Sequence, residues 1–105
     1  MALSFAFLEG GRDMATLSMF NGIIIRMRPE KNTRHHKPHI HSRYQGVEAT
    51  LDVATRKPFG RNAKAFPVDQ RHMVQAWIAL RENEILANWE LMNGENGTFF
   101  RIEPL

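Results

Sequence analysis

An α+β domain is the fold this 105-residue chain predicts, and three observations carry it. Short β-rich runs fill the stretch from Met19 to Val53, a Gln45-Gly46 pair separates two of them, and an apolar stripe at helical spacing begins only after Pro67. Strands first and helices after them is the order of an α+β domain rather than of alternating βα units. The expected architecture is a small antiparallel sheet with a β-hairpin, packed by one or two C-terminal helices and closed by a short strand. A chain of this length supports one hydrophobic core. Residues 14–105 are therefore read as a single domain, and residues 1–13 as a non-native or disordered leader.

The leader reading comes from coding potential. Glu9-Gly10-Gly11 can be encoded by a purine-rich ribosome-binding sequence lying just ahead of Met14, so translation is expected to begin at Met14. Met1 to Asp13 also lacks the basic start and small-residue cleavage site of a secretory signal.

From Met19 to Arg28 the residues alternate, with Ile23, Ile25 and Met27 on one side and Ile24, Arg26 and Arg28 on the other, the pattern of one strand. Pro29 to Lys37 is charged and proline-bounded, a surface loop carrying Lys31, Arg34, His35, His36 and Lys37. His39 to Tyr44 and Val47 to Val53 form the hairpin, with Gly46 supplying the positive φ of a two-residue turn. That turn sets the register. Tyr44, Ser42 and Ile40 should oppose Val47, Ala49 and Leu51 on the core face, while Arg43, His41 and His39 oppose Glu48, Thr50 and Asp52 on a polar, wet face.

A brief strand is expected around Lys57 to Gly60. Pro67 and Asp69 mark a helix start, followed by Met73, Val74, Trp77, Ile78 and Leu80. Asn83 is expected to break or recap the helix before Ile85, Leu86, Trp89 and Met92 resume the stripe, and Asn93-Gly94 to end it. Both tryptophans belong to the core stripe. Thr98 to Ile102 supplies the closing strand.

Composition removes several function classes. Without cysteine there is no disulfide framework, thiolate metal site or thiol nucleophile, which fits a cytoplasmic protein. No apolar run approaches the ~20 residues that span a bilayer, so no membrane partner is expected. Charge is divided along the chain. Met14 to Lys64 carries ten Lys or Arg against Glu30, Glu48 and Asp52, whereas Ala65 to Leu105 carries three against six acids. A basic first half suits RNA, DNA or an acidic partner.

Chemistry is concentrated in His35-His36-Lys37-Pro38-His39-Ile40-His41-Ser42-Arg43-Tyr44, which holds four of the five histidines. Imidazole titrates near neutrality, ligates metals when neutral and donates protons when charged, so three readings stand open. His39 and His41 can serve as a catalytic acid-base pair on a ribose phosphate, with Asp52 orienting His39 and with Arg43 or Lys37 holding the phosphate. His36, His39, His41 and Asp52 can ligate a divalent ion, although the spacing matches no established zinc signature. The histidines can also simply position a phosphate backbone. Against all three, the same face can be a solvated surface whose His39–Asp52 pair contributes ~1 kcal/mol or less. The candidate catalytic residues are His39, His41 and Asp52. Arg26, Arg28, His36, Lys37, Arg43 and Tyr44 are the candidate substrate contacts. No cofactor and no resident metal is assigned.

Phe20-Asn21-Gly22-Ile23-Ile24-Ile25-Arg26-Met27, His36-Lys37-Pro38-His39-Ile40-His41-Ser42-Arg43-Tyr44-Gln45-Gly46, Gln75-Ala76-Trp77-Ile78, Asn88-Trp89-Glu90-Leu91 and Ile102-Glu103-Pro104-Leu105 follow one another in the order of a bacterial family. The chain resembles domain of unknown function 4160 from about Met14 to Leu105, most specifically in Pro-His-Ile-His-x-x-Tyr. Members start in a way that is similar to Met14-Ala15-Thr16-Leu17. The resemblance implies His36, Pro38, His39, His41 and Tyr44 as motif positions with no catalytic role attached, and a cognate small protein from a neighbouring gene in a toxin-antitoxin-like pair. Arg56 to Phe66 is more basic than is usual in the family, and Arg81 stands where members often have histidine. The functional expectation is a nucleic-acid-binding component of such a pair, with a non-catalytic partner-docking module or a His/Asp metal-binding protein as alternatives.

Overall fold

The apolar run of residues 17–27 is not one strand but two, folded back at Asn21-Gly22. In the computed structural model, which describes residues 5–7, 14–30, 37–61, 63–95 and 97–105, these are β2 (Ala15–Phe20) and β3 (Ile23–Met27), preceded by β1 (Phe5–Phe7). Asn21 and Gly22 take φ of 48° and 77°, the left-handed pair of a tight turn whose twist matches the flanking strands. β2 carries a bulge between Thr16 and Ser18.

The second hairpin joins β4 (His39–Tyr44) to β5 (Val47–Asp52) through Gln45 and Gly46, at φ 48° and 81°. All six expected cross-strand pairs are present, from Tyr44 opposite Val47 to His39 opposite Asp52. β6 (Pro58–Phe59) lies inside the expected Lys57 to Gly60 window and pairs with β5. The antiparallel sheet runs in the order β2-β3-β4-β5-β6, each strand beside its sequence neighbour. A one-turn 3₁₀ helix at Ala63–Ala65 then leads to α1 (Val68–Met92).

α1 begins after Pro67 and ends at Asn93, as Pro67-x-Asp69 and Asn93-Gly94 indicate, and the interruption expected at Asn83 falls two residues earlier, at Arg81. The 25-residue element is kinked there, Arg81 leaving helical geometry at φ −115° and ψ 19° between two helical segments. Val74, Trp77, Ile78, Ile85, Trp89 and Met92 share one face, which seals a core with Ile23, Ile25, Met27, Ile40, Ala49 and Leu51. At about 100° of rotation per residue Leu80 falls roughly 120° from the centre of that face. It is accordingly 61% exposed and does not belong to the core stripe.

The C-terminal segment is tied down by side chains. Asn88 receives the Phe100 amide on Oδ1 at 2.8 Å and donates Nδ2 to the Phe100 carbonyl at 3.1 Å. Trp77 Nε1 donates to the Glu103 carbonyl at 2.9 Å, and the Ile102 amide to the Leu17 carbonyl of β2 at 2.8 Å. The closing strand, β7, covers Thr98–Phe100 and pairs with β1 in a separate two-stranded sheet. Phe5–Phe7, within the expected leader, is therefore strand backbone.

Candidate functional site

β3 stops at Met27 because Pro29 lacks the amide needed to continue a ladder. The chain turns there, and the Glu30 amide donates to Asn93 Oδ1 at 2.8 Å, while Asn93 Nδ2 donates to the Trp89 carbonyl at 2.9 Å. The residue that terminates α1 thus fixes the position of Glu30. Its carboxylate is buried beside His39 and His41, which project from β4 on the side away from Ile40 by strand alternation.

The two imidazoles meet edge to face, their centroids 5.3 Å apart. His39 also packs on Trp89 at 5.0 Å and Phe59 at 5.8 Å, so the side expected to be wet is covered here. His39 is 5% exposed and His41 8%. The correction has a simple cause: Glu30 folds over β4, and aromatic groups from β6 and α1 close the flanks.

The hydrogen bonds assign ring nitrogens. His39 Nδ1–H donates to the Lys37 carbonyl at 2.8 Å, a partner that can only accept. Its Nε2 stands 3.3 Å from Glu30 Oε1, a contact that is favourable when that nitrogen carries a second proton or when a cation lies between the two atoms. His41 Nδ1 faces Thr50 Oγ1 at 3.3 Å. His41 Nε2 is buried without a hydrogen-bond partner and points toward the same Glu30 oxygen at 3.9 Å. Arg28 Nε reaches that oxygen at 3.1 Å from a half-exposed position.

Burial pulls the His41 pKa down to about 4, reinforced by the neighbouring His39 and Arg28 charges, so its ring is neutral at pH 7. Burial acts to raise the Glu30 carboxyl, but the bond and charge of Arg28, with those of His39, outweigh it and hold the group below its ordinary range. The outcome is a carboxylate and two imidazoles gathered around one point.

Asp52 is not the carboxylate that meets His39. It opposes His39 in register, yet its Oδ1 accepts the Thr55 amide at 2.9 Å, stabilising the turn after β5. Asp52 and His39 do line a common hollow of about 200 Å³ with Lys37 and Phe59. Of the proposed anion contacts, Lys37 and Arg43 are exposed, whereas Arg26 pairs with Glu48 at 3.6 Å and Arg28 with Glu30. Tyr44 lies on the core side against Phe66, away from the imidazoles. His36 falls outside the described residues. Glu30 is the residue sequence reasoning missed, because it sits nine positions before His39 across a loop.

Searches of curated proteins and of solved structures return no match. The family described as a domain of unknown function (DUF4160) matches residues 22–90, which include β3 to β6 and most of α1. The chain belongs to that family.

Proposed function

We propose that this member of the DUF4160 family is the binding component of a two-protein, toxin-antitoxin-like module in the cytoplasm, contacting RNA or DNA without cleaving it. One observation carries the reading. Exposed cations, Lys37, Arg43, Arg56, Lys57, Arg61 and Lys64, are concentrated on the β4–β5 hairpin and the segments on either side of it, whereas α1 carries Asp69, Glu82, Glu84 and Glu90 against Arg71 and Arg81. A phosphate backbone is attracted to the first surface and repelled by the second. Binding is favoured over cleavage because His39 and His41 are almost wholly buried, and a general base must come within about 3 Å of the proton it removes. Among the described residues no helix is long and apolar enough to cross a membrane.

Fluorescence anisotropy with a labelled duplex and a labelled single-stranded RNA tests the reading. Affinity should fall steeply between about 50 and about 200 mM salt, and neutralising Arg43, Lys57 and Arg61 should reduce the slope of log K against log salt by about one per contact removed. A flat salt dependence contradicts nucleic-acid contact. Co-expression with the adjacent reading frame tests the partner. Co-purification in fixed stoichiometry is expected, and separation of the two products on the first column contradicts the pairing.

A further inference from the structure

We propose that Glu30, His39 and His41 form a binding site for one divalent transition ion of the zinc class, with Glu30 Oε1 and the two histidine Nε2 atoms as ligands. One ligand atom from each residue lies within 4.8 Å of those from the other two, and all three residues are buried. Ligands bound at ~2.0–2.1 Å in a tetrahedral site stand about 3.3–3.4 Å apart. The separations from Glu30 Oε1, 3.3 Å to His39 and 3.9 Å to His41, are close to that spacing.

Two further features point to a cation rather than to a proton. A proton on His39 Nε2 satisfies one contact and leaves His41 Nε2 buried without a partner. An ion at the centre engages both nitrogens and the carboxylate together. His39 also shows the outer support typical of a metal ligand, because its Nδ1–H donates to the Lys37 carbonyl and so directs the Nε2 lone pair inward. His41 is oriented in the same sense by Thr50.

Arg28 now balances the carboxylate's charge. Because its side chain is half exposed, it can turn to solvent as an ion takes over that role. Two imidazoles and a carboxylate suit zinc, cobalt, nickel or ferrous iron and disfavour calcium or magnesium. This carboxylate replaces the Asp52 of the sequence-based ligand set.

The test uses full-length protein without a histidine tag, stripped with chelator and titrated with Zn(II) against a chromophoric competitor. One equivalent should bind, and zinc should perturb the NMR ring signals of His39 and His41 while leaving the exposed His72 unchanged. Glu30→Gln, nearly isosteric, should weaken zinc binding tenfold or more. Co(II) should give the intense visible bands of a four- or five-coordinate site, a readout that needs no variant. No saturable binding near one equivalent, an octahedral-type cobalt spectrum, or affinity unchanged in both Glu30→Gln and His41→Leu would overturn the proposal. None of these outcomes depends on nucleic-acid contact.

Discussion

His41 illustrates how strongly a single environment alters a side chain. On an open hairpin its ring would titrate near its ordinary 6.5, but burial lowers that value to about 4. The folded chain therefore takes up this proton later than the unfolded chain as pH falls. Stability from this residue is complete above about pH 6.5 and declines as pH drops toward 4, by on the order of 2 kcal/mol after allowance for residual screening. Urea melts in chelator at pH 7 and pH 5 should show that loss. His41→Leu should flatten it, and an identical loss in the variant contradicts the assignment. Glu30 acts lower on the scale. With its pKa held below 4.5, its contribution is present above that value and disappears as pH falls through the folded pKa.

At the scale of elements, two turns of similar geometry make a controlled comparison. Gly22 and Gly46 both have left-handed backbones, but a Cβ on Gly22 would come within 3.3 Å of the Tyr44 ring, while one on Gly46 meets open space. Gly22→Ala should therefore destabilise more than Gly46→Ala, which should cost about 1 kcal/mol from backbone strain alone. Equal losses in denaturant melts contradict the Tyr44 contact. Asn88→Ala removes both hydrogen bonds to Phe100 from a fully buried side chain and should cost about 2–3 kcal/mol. A loss below about 0.5 kcal/mol would mean that this clamp contributes little to docking β7.

These elements also show what could be read from the chain. The β4–β5 register was legible because Gln45-Gly46 permits one tight turn and a one-residue slip would expose Ile40 and Leu51. Asn21-Gly22 carried the same signal, but the unbroken apolar character around it read as one strand. The helix ends were visible in Pro67 and Asn93. The interruption was expected at Asn83 and lies at Arg81, because asparagine is the poorer helix former of the two and nothing local marks the arginine. The pairing of His39 with His41 followed from strand alternation. Glu30 did not, because its place depends on a side-chain bond from Asn93, 63 residues away.

On the scale of the whole molecule, charge is divided between layers: cations on the sheet and its loops, acids on the helix that backs it. β7 is clamped to α1 by Asn88 and the following Ile102 to β2 through Leu17, both independent of β1. A protein truncated to residues 14–105 should accordingly still melt cooperatively, within a few degrees of the longer form. A loss of cooperative melting contradicts this independence of β1.

Anomalous diffraction at the zinc edge from crystals soaked in Zn(II) examines the Glu30, His39 and His41 cluster most directly. One peak is predicted about 2.0–2.2 Å from Glu30 Oε1 and from both Nε2 atoms. Density showing the two rings turned apart, or zinc bound elsewhere with this cluster unoccupied, would contradict it.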